Sequence, residues 1–434
     1  MKTKTDIVKI IFRGDKAVWF IFLLLAGLSL ILVFSATSTI AFAHSAKNAG
    51  NIWAPFIRHA KMLGGGALLI LLLSHIHYRY FPMVALFLVL PAALATLIAT
   101  FFVGVNVNDA SRFISLFGIQ FQPSEVGKLA CIVYVAFLLS RRRDFSSERK
   151  LFKWILLAVL PVCGLIFPFN LSTAVLLGGV CFLMMFIGQI PYRLLGKLLF
   201  WLTVLAAVFV FALAVTPEET VKKYFPRALT WKKRIDTFFG SRPKVDDKTY
   251  FIPSDDEYQI SHAKAAIASS GLFWGKGPGR SEQRDYLPQA YSDFIYSISI
   301  EELGILLGGL GLLLLYIMLM VRVGVIARRC RGLFPKYLVI GCGLIIVVQA
   351  LVHMAVNVGL MPVTGQPLPL ISRGGTSTLL TCAYIGMILS VSHYGAEPDE
   401  PDGGDTEEED LPEEMEPDSE INPIFAAESI VSEE

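Results

Sequence analysis

Charge is scarce in this chain. Only 17% of its 434 residues are Asp, Glu, Lys or Arg, against about 25% in soluble domains, while 54% are apolar. That balance excludes a soluble multidomain protein and makes a bilayer the solvent. No Gly-x-x-x-x-Gly-Lys-Ser/Thr sequence occurs, so nucleotide hydrolysis on a phosphate loop is not expected. Cysteine is sparse and unpatterned: Cys131, Cys163, Cys181, Cys330, Cys342 and Cys382 fall in apolar runs or in a loop. None has metal-ligand spacing, so neither disulfides nor a zinc site is predicted. His59, His75, His77, His262 and His353 show no ligand spacing either and read as interfacial or hydrogen-bonded core residues. Lys and Arg are missing altogether from Gly395 to Glu434, so the formal net charge of +2 hides a basic body and an acidic tail. The tail is also Pro-rich and nearly free of aromatics, and is predicted to be disordered over residues 395–434. Its Ile421–Phe425 and Ile430–Val431 patches are candidate docking elements, against the plainer reading of a solvated tail.

What the chain does have is apolar runs of spanning length. A bilayer core asks for roughly 20 apolar residues per helix, because backbone polar groups must be satisfied internally. Ten runs qualify, over residues 17–38, 61–75, 81–103, 123–140, 151–168, 171–189, 194–215, 293–320, 336–358 and 375–393. The predicted fold is therefore an all-α polytopic membrane protein of about ten transmembrane helices, with residues 1–16 preceding a membrane domain over 17–394. Lys2, Lys4, Lys9, Arg13 and Lys16 precede the first run; Arg141, Arg142, Arg143, Arg149, Lys150 and Lys153 follow the fourth; Arg322, Arg328, Arg329, Arg331 and Lys336 follow the eighth. By the positive-inside rule both termini are cytoplasmic, and a large loop over 217–292, between helices 7 and 8, faces outward. The first run is longer than a signal-peptide core and reads as a retained anchor, despite its Ala41-Phe42-Ala43 sequence.

Polar groups at membrane depth are costly and mark candidate sites. The first set is Gln122-Pro123-Ser124-Glu125-Val126-Gly127-Lys128. Pro123 suits a first helical turn, and Glu125 and Lys128 then share one helix face. They are either a charge pair that fixes packing or the cationic wall of an outward cavity, to which Arg112 in the preceding loop would add a second cation.

The second set is Tyr286 to Phe294, leading to Glu301 and Glu302. Ser292 or Asp293 would cap the eighth helix. Alternatively Asp293 is a general base, since a carboxylate is ionised at neutral pH and can take a proton from an attacking hydroxyl. One of the two glutamates must find a partner inside the bundle.

The third set runs from Met361 to Ser377, dense in Gly and Pro between two runs. It reads as irregular backbone lining a cavity or as a tight loop. Gly374 and Gly375, followed by Thr376 and Ser377, offer N–H groups at a helix start as a phosphate seat. In the large loop, Trp231 to Phe239 is basic with interleaved aromatics and is expected to lie flat on the outer leaflet. Gly271, Gly275, Gly277 and Gly279 around Lys276 make a weak phosphate-cradle pattern or a flexible loop.

Three of these blocks resemble the SEDS family (shape, elongation, division and sporulation). The residues that carry the resemblance are Gln122-Pro123-Ser124-Glu125 with Lys128; Leu287-Pro288 with Ser292-Asp293-Phe294-Ile295 and Glu301-Glu302-Leu303-Gly304; and Pro362-Val363-Thr364-Gly365 with Leu368 to Ser372 and Gly374-Gly375-Thr376-Ser377. The similarity covers roughly residues 15–394. Arg234-Ile235, Tyr258-Gln259 and Gly271 to Gly277 are closer to the division branch than to the elongation branch.

The resemblance implies a peptidoglycan glycosyltransferase that polymerises lipid II in septal wall synthesis, with Asp293 matching the family's essential acid. It implies substrate contacts at Arg112, Gln122, Ser124, Glu125, Lys128, Ser372, Gly374, Gly375 and Ser377. Expected partners are lipid II and the nascent glycan, a class B penicillin-binding transpeptidase and other membrane proteins of the division machinery, with no nucleic acid. The resemblance implies no definite cofactor and leaves assistance by a divalent cation open. The chain departs from the family where Asn170 replaces a common acid and Arg373 a common aromatic. A lipid II flippase, an elongation polymerase and a scaffold stand as alternatives. Clustering of the charges toward the outer side favours polymerisation over transport.

Overall fold

The computed structural model describes residues 12–48, 53–103, 105–107, 110–116, 119–216, 228–232, 234, 255–287 and 290–395. Helices dominate, each beginning where the sequence supplies a start signal. α1 (Lys16–Asn48) is capped by Asp15, whose Oδ1 accepts from the N–H groups of Ala17 (2.9 Å) and Val18 (3.2 Å). α2 (Ala54–His75) follows, and then Tyr80–Val84 passes through a π-turn at Ala85–Val89 into α3 (Leu90–Val103). α4 (Pro123–Ser140) has its proline in the first turn, as expected. Ser147 caps α5 (Glu148–Ile166) and Asn170 caps α6 (Leu171–Ile187). α7 (Tyr192–Val215), α8 (Asp255–Ala268), α9 (Ile295–Leu303), α10 (Leu312–Arg329), α11 (Leu333–Asn357) and α12 (Thr376–Tyr394) complete the set.

Seven helices among the described residues are long and apolar enough to cross a membrane, so the chain is a multi-pass membrane protein. Helices coincide with all ten apolar runs, but α5 opens on Glu148, Arg149 and Lys150, with Lys153 a turn later, α6 is only 17 residues long and α12 is rich in Ser and Thr.

Two features differ from the expected pattern. A three-stranded antiparallel meander, β1 (Val105–Val107), β2 (Ala110–Leu116) and β3 (Ile119–Phe121), fills the connection from α3 to α4. The run over 293–320 is also not continuous. It breaks at Gly304, whose φ of +91° is open to glycine. A Cβ there would meet the Phe273 carbonyl at 3.0 Å. Beyond it the chain winds as a π-turn (Ile305–Gly311) into α10, and α9 is left as a separate half-helix, buried over Ile295–Glu302.

α11 sits at the centre, against α4, α6, α10 and α12. Small residues permit close approach, the usual device of helices packed in lipid. A Cβ at Gly66 of α2 would meet Cys382 Sγ at 2.5 Å, and one at Gly386 of α12 would meet Leu73 Cβ at 2.8 Å. α7 is the opposite case, presenting Leu199, Phe200, Trp201, Leu205, Val208 and Phe211 outward. At the end that carries the basic loops, Arg322 pairs with Asp15, and Asp15 N–H donates to Ser392 Oγ (2.9 Å), tying α1, α10 and α12 together.

Trp231 is not spread on a surface. It is buried and packs edge-on against Phe167 (5.2 Å) and against Phe209 (6.0 Å), and Arg234 Nη1 donates to the Val363 carbonyl (3.0 Å). Residues 235–239 of that motif, and the tail 396–434, lie outside the described residues.

Candidate active site

Asp293 precedes the buried half-helix but does not cap it. The cap position is Phe294, and the Asp293 side chain instead accepts a hydrogen bond from Ser292 Oγ at 2.8 Å. The capping role falls to Asn357, at the end of α11. Its Oδ1 accepts from Ser297 N–H (3.1 Å) and Ser297 Oγ (2.9 Å), while its Nδ2 donates to the carbonyls of Asp293 (3.0 Å) and His353 (2.9 Å). One buried amide thus satisfies the first turn of α9 and pins the backbone of Asp293. The neighbouring carbonyl, Ser292, is held by Ser372 Oγ (2.6 Å), which also accepts from Leu368 N–H (2.8 Å). Asp293 is therefore fixed from two sides, yet no cation forms an ion pair with it among the described residues.

Asn357 belongs to a polar stripe on an otherwise apolar helix: Gln349, His353 and Asn357 are four residues apart and share one face of α11. Gln349 Nε2 donates to the Pro367 carbonyl (2.9 Å), and its Oε1 accepts from Lys128 Nζ (3.0 Å). His353 Nδ1 meets the Gln366 carbonyl at 2.7 Å, and since a carbonyl only accepts, that nitrogen carries the proton. Gln366 in turn donates to Thr173 Oγ1 (2.7 Å) on α6. Tyr316 of α10 reaches the Pro369 carbonyl at 2.5 Å. The Gly- and Pro-rich segment between α11 and α12 is thus lashed to α6, α10 and α11, and through Gln349 indirectly to α4, which explains how irregular backbone persists inside the bundle. The i, i+4 polar spacing was the available sequence signal for His353 and Asn357.

The remaining expected residues fall into three groups. Glu125 and Lys128 pair at 2.8 Å with side chains only 4% and 1% exposed, and the ammonium has Gln349 as second partner. In this arrangement Lys128 joins α4 to α11 rather than offering a free charge as a cavity wall, which is the packing reading of the pair. Gln122 Nε2 donates to Ser124 Oγ (3.0 Å) at the start of α4. Gly375 is the cap residue of α12 with a φ of +55°, no side chain caps that helix, and Gly374 lies so close to Ser377 Oγ that a Cβ would clash. Arg112 lies on β2, and its side chain is outside the described residues.

Glu301 is fully buried with Lys276 Nζ at 2.9 Å, Glu282 N–H at 3.1 Å and Ser281 as a third partner. Glu302 takes Ser35 Oγ and Gly279 N–H (3.2 Å). The loop over 271–282 is therefore a clasp for these two acids, not a phosphate cradle. The Glu301 hydrogen bond is the main reason the Lys276 ammonium is pushed above its ordinary pKa. Among the described residues no group of three His, Cys, Asp or Glu could hold a metal ion.

A helical membrane bundle with a broken half-helix, and a carboxylate fixed at its start, defines the class: a membrane enzyme of SEDS architecture. The family model of FtsW, RodA and SpoVE, described as "Cell cycle protein", matches residues 15–397, and the chain belongs to that family. It is 33% identical over 415 residues to the "Probable peptidoglycan glycosyltransferase FtsW" of Alcanivorax borkumensis, covering 92% of this chain and 97% of that one. Against the protein of the same name from Pseudomonas fluorescens it is 30% identical over 390 residues, covering 86% and 88%. Among solved structures it resembles a chain from "Structural coordination of polymerization and crosslinking by a peptidoglycan synthase complex", with a TM-score of 0.63, 25% identity and coverage of 87% and 97%. The rod shape determining protein RodA of Thermus thermophilus gives a TM-score of 0.58 at 25% identity, covering 89% and 98%.

Proposed function

We propose that this chain is a peptidoglycan glycosyltransferase that polymerises lipid II, with Asp293 as general base. The growing glycan is transferred to the C4 hydroxyl of the GlcNAc of an incoming lipid II. Asp293 takes the hydroxyl proton as that oxygen attacks the anomeric carbon, and the bond from that carbon to the diphosphate oxygen breaks, releasing undecaprenyl diphosphate. A single displacement inverts the anomeric centre and requires no protein nucleophile. The observation that carries this reading is the state of the carboxylate: held by one hydroxyl, its backbone pinned by Asn357, and in no salt bridge among the described residues.

Gly374, Gly375 and Ser377 present the start of α12 to the leaving diphosphate. Gln122, Ser124 and Ser372 contact the substrate, Glu125 and Lys128 brace the site from beneath, and Arg112 adds positive charge from the preceding segment. All ten apolar helices belong to a membrane domain over 17–394, with both termini cytoplasmic, the 217–292 loop outside and the 395–434 tail inside. The Arg13, Lys16, Arg141–Arg143 and Arg322–Arg329 cluster at one end supports this orientation. The partner is a class B penicillin-binding transpeptidase that crosslinks the new strands, together with other division proteins at the septum. The division-type names of the relatives favour septal over lateral growth.

The test is glycan polymerisation from labelled lipid II by the purified protein and its transpeptidase in liposomes, with lipid II translocation measured in parallel. Polymer is expected from the wild type. Translocation without polymer would contradict the reading and make the chain a lipid transporter.

A further inference from the structure

Glu125, Glu301 and Lys128 beneath the site are paired; two cations at its rim have no such partner among the described residues. Arg373 is held by its backbone, its N–H donating to the Tyr291 carbonyl at 3.1 Å, two residues before Asp293. Its guanidinium is half-buried over the Tyr291 ring, 5.3 Å from the centroid, and none of its five donors reaches an acceptor among the described residues. Arg58, exposed in the first turns of α2, likewise makes no hydrogen bond or ion pair among the described residues. Burial lowers the Arg373 pKa, Tyr291 opposes that, and the Arg58 charge lowers it further. Next to Arg58, His59 is buried, and its Nε2 meets Ser29 Oγ at 2.7 Å. Ser29 Oγ donates to the Ile371 carbonyl at 3.0 Å, which fixes the backbone two residues before Arg373. The uncapped first turn of α12 begins three residues after Arg373.

A half-buried guanidinium without an acid is unfavourable unless an anion completes the site, and Arg58, beside the His59 that is tied through Ser29 to Ile371, adds a second positive charge on the same side. Guanidinium groups suit phosphate in particular, because their planar fork donates two parallel hydrogen bonds. The geometry points to Arg373 and Arg58 as the seat of a diphosphate on a polyprenyl-linked substrate, with the α12 N-terminus as its third side. The identity of the anion rests on the proposed glycosyl transfer. The seat replaces the free cation that Lys128, spent on Glu125 and Gln349, does not supply. It also accounts for an arginine at a position where an aromatic side chain is common in the family.

The test is equilibrium binding to the purified full chain of three probes: labelled undecaprenyl diphosphate, undecaprenol and inorganic pyrophosphate. Wild type is compared with Arg373→Gln, Arg58→Gln, the double variant and Arg373→Lys, each checked for an unchanged melting temperature. Charge-assisted hydrogen bonds contribute about 1.5–3 kcal/mol, so Arg373→Gln should weaken undecaprenyl diphosphate binding about ten- to a hundredfold. Arg58→Gln should weaken it less, Arg373→Lys should recover part of the loss, and undecaprenol binding should not change. Unaltered diphosphate binding in a folded Arg373→Gln protein would overturn the inference. An equal loss for undecaprenol would do the same, since it would make Arg373 structural. Wild-type affinity for inorganic pyrophosphate equal to that for the lipid would overturn the assignment to a lipid-linked group. If the wild type binds the diphosphate through Arg373 but makes no polymer, the seat stands and the glycosyltransferase reading falls.

Discussion

Two regions of the bundle treat their charges in opposite ways. Along α4 and the α9 clasp the acids are held: Glu125 by Lys128, Glu301 by Lys276, and one oxygen of Glu302 by Ser35 and the Gly279 N–H, its Oε2 having no hydrogen-bond partner among the described residues. At the mouth where α9 begins, among the described residues Asp293 has only a serine hydroxyl for its side chain, and Arg373 and Arg58 have no acid. The difference separates structure from chemistry. A buried charge without a partner is expensive, so acids and bases that hold helices together are matched to one another. Groups left unmatched at a cavity rim are those whose partner is the ligand or the reacting atom.

The comparison is broken most severely at the matched pair. Lys128→Met leaves Glu125 buried without its cation and is expected to cost about 3–5 kcal/mol, read as a large drop in thermal stability in detergent. Glu125→Leu combined with Lys128→Met should recover most of that loss, because the penalty belongs to the orphaned charge rather than to the missing attraction. Recovery of stability would mark the pair as packing; recovery of activity as well would exclude both residues from substrate binding.

Asn357→Ala comes next. It strips partners from Ser297 and from the Asp293 and His353 carbonyls, with an expected cost of about 1–3 kcal/mol in the same melt. Polymerisation should fall through kcat, because the base is displaced while substrate contacts remain. An unchanged kcat would sever Asn357 from Asp293.

Lys276→Met is the mildest, at about 1 kcal/mol, since Lys276 is a quarter exposed and Glu301 keeps two other partners. The Lys276 pKa is raised in the fold, so its contribution is fully present below its unfolded value of about 10.4 and is lost as pH rises through the folded value. The gap between wild type and variant should stay constant through neutral pH and close only in strong alkali, as thermal melts at several pH values would show.

Much of this arrangement is legible in the sequence, and the illegible parts have physical reasons. Apolar runs mark the helices because lipid forces backbone groups to pair within each segment, and Pro123 marks the start of α4 by fixing its φ. The break at Gly304 is not readable, since a lone glycine between apolar neighbours fits a continuous helix, and only the approach of Phe273 demands a positive φ. Local sequence offers Ser292 or Asp293 as the cap of this helix, both residue types that cap well. The true cap, Asn357, lies about sixty residues away in sequence. Sequence spacing pairs Glu125 with Lys128 through one helix turn, but it cannot reveal that Gln349 Oε1 accepts a second hydrogen bond from that ammonium. The glycines around Lys276 look like an anion cradle until Glu301 is brought beneath them by the fold. The β1–β3 meander is short and lacks a sustained alternation of apolar and polar residues.

The central claim is that Asp293 is unpaired because it works on the substrate. It is tested most directly by comparing Asp293→Asn with wild type in lipid II polymerisation and in the same thermal melt. The account predicts a loss of about a hundredfold or more in polymer formation, with little change in melting temperature, because the isosteric amide keeps the Ser292 contact but cannot take the proton. Polymerisation near the wild-type rate by the Asp293→Asn protein would contradict it.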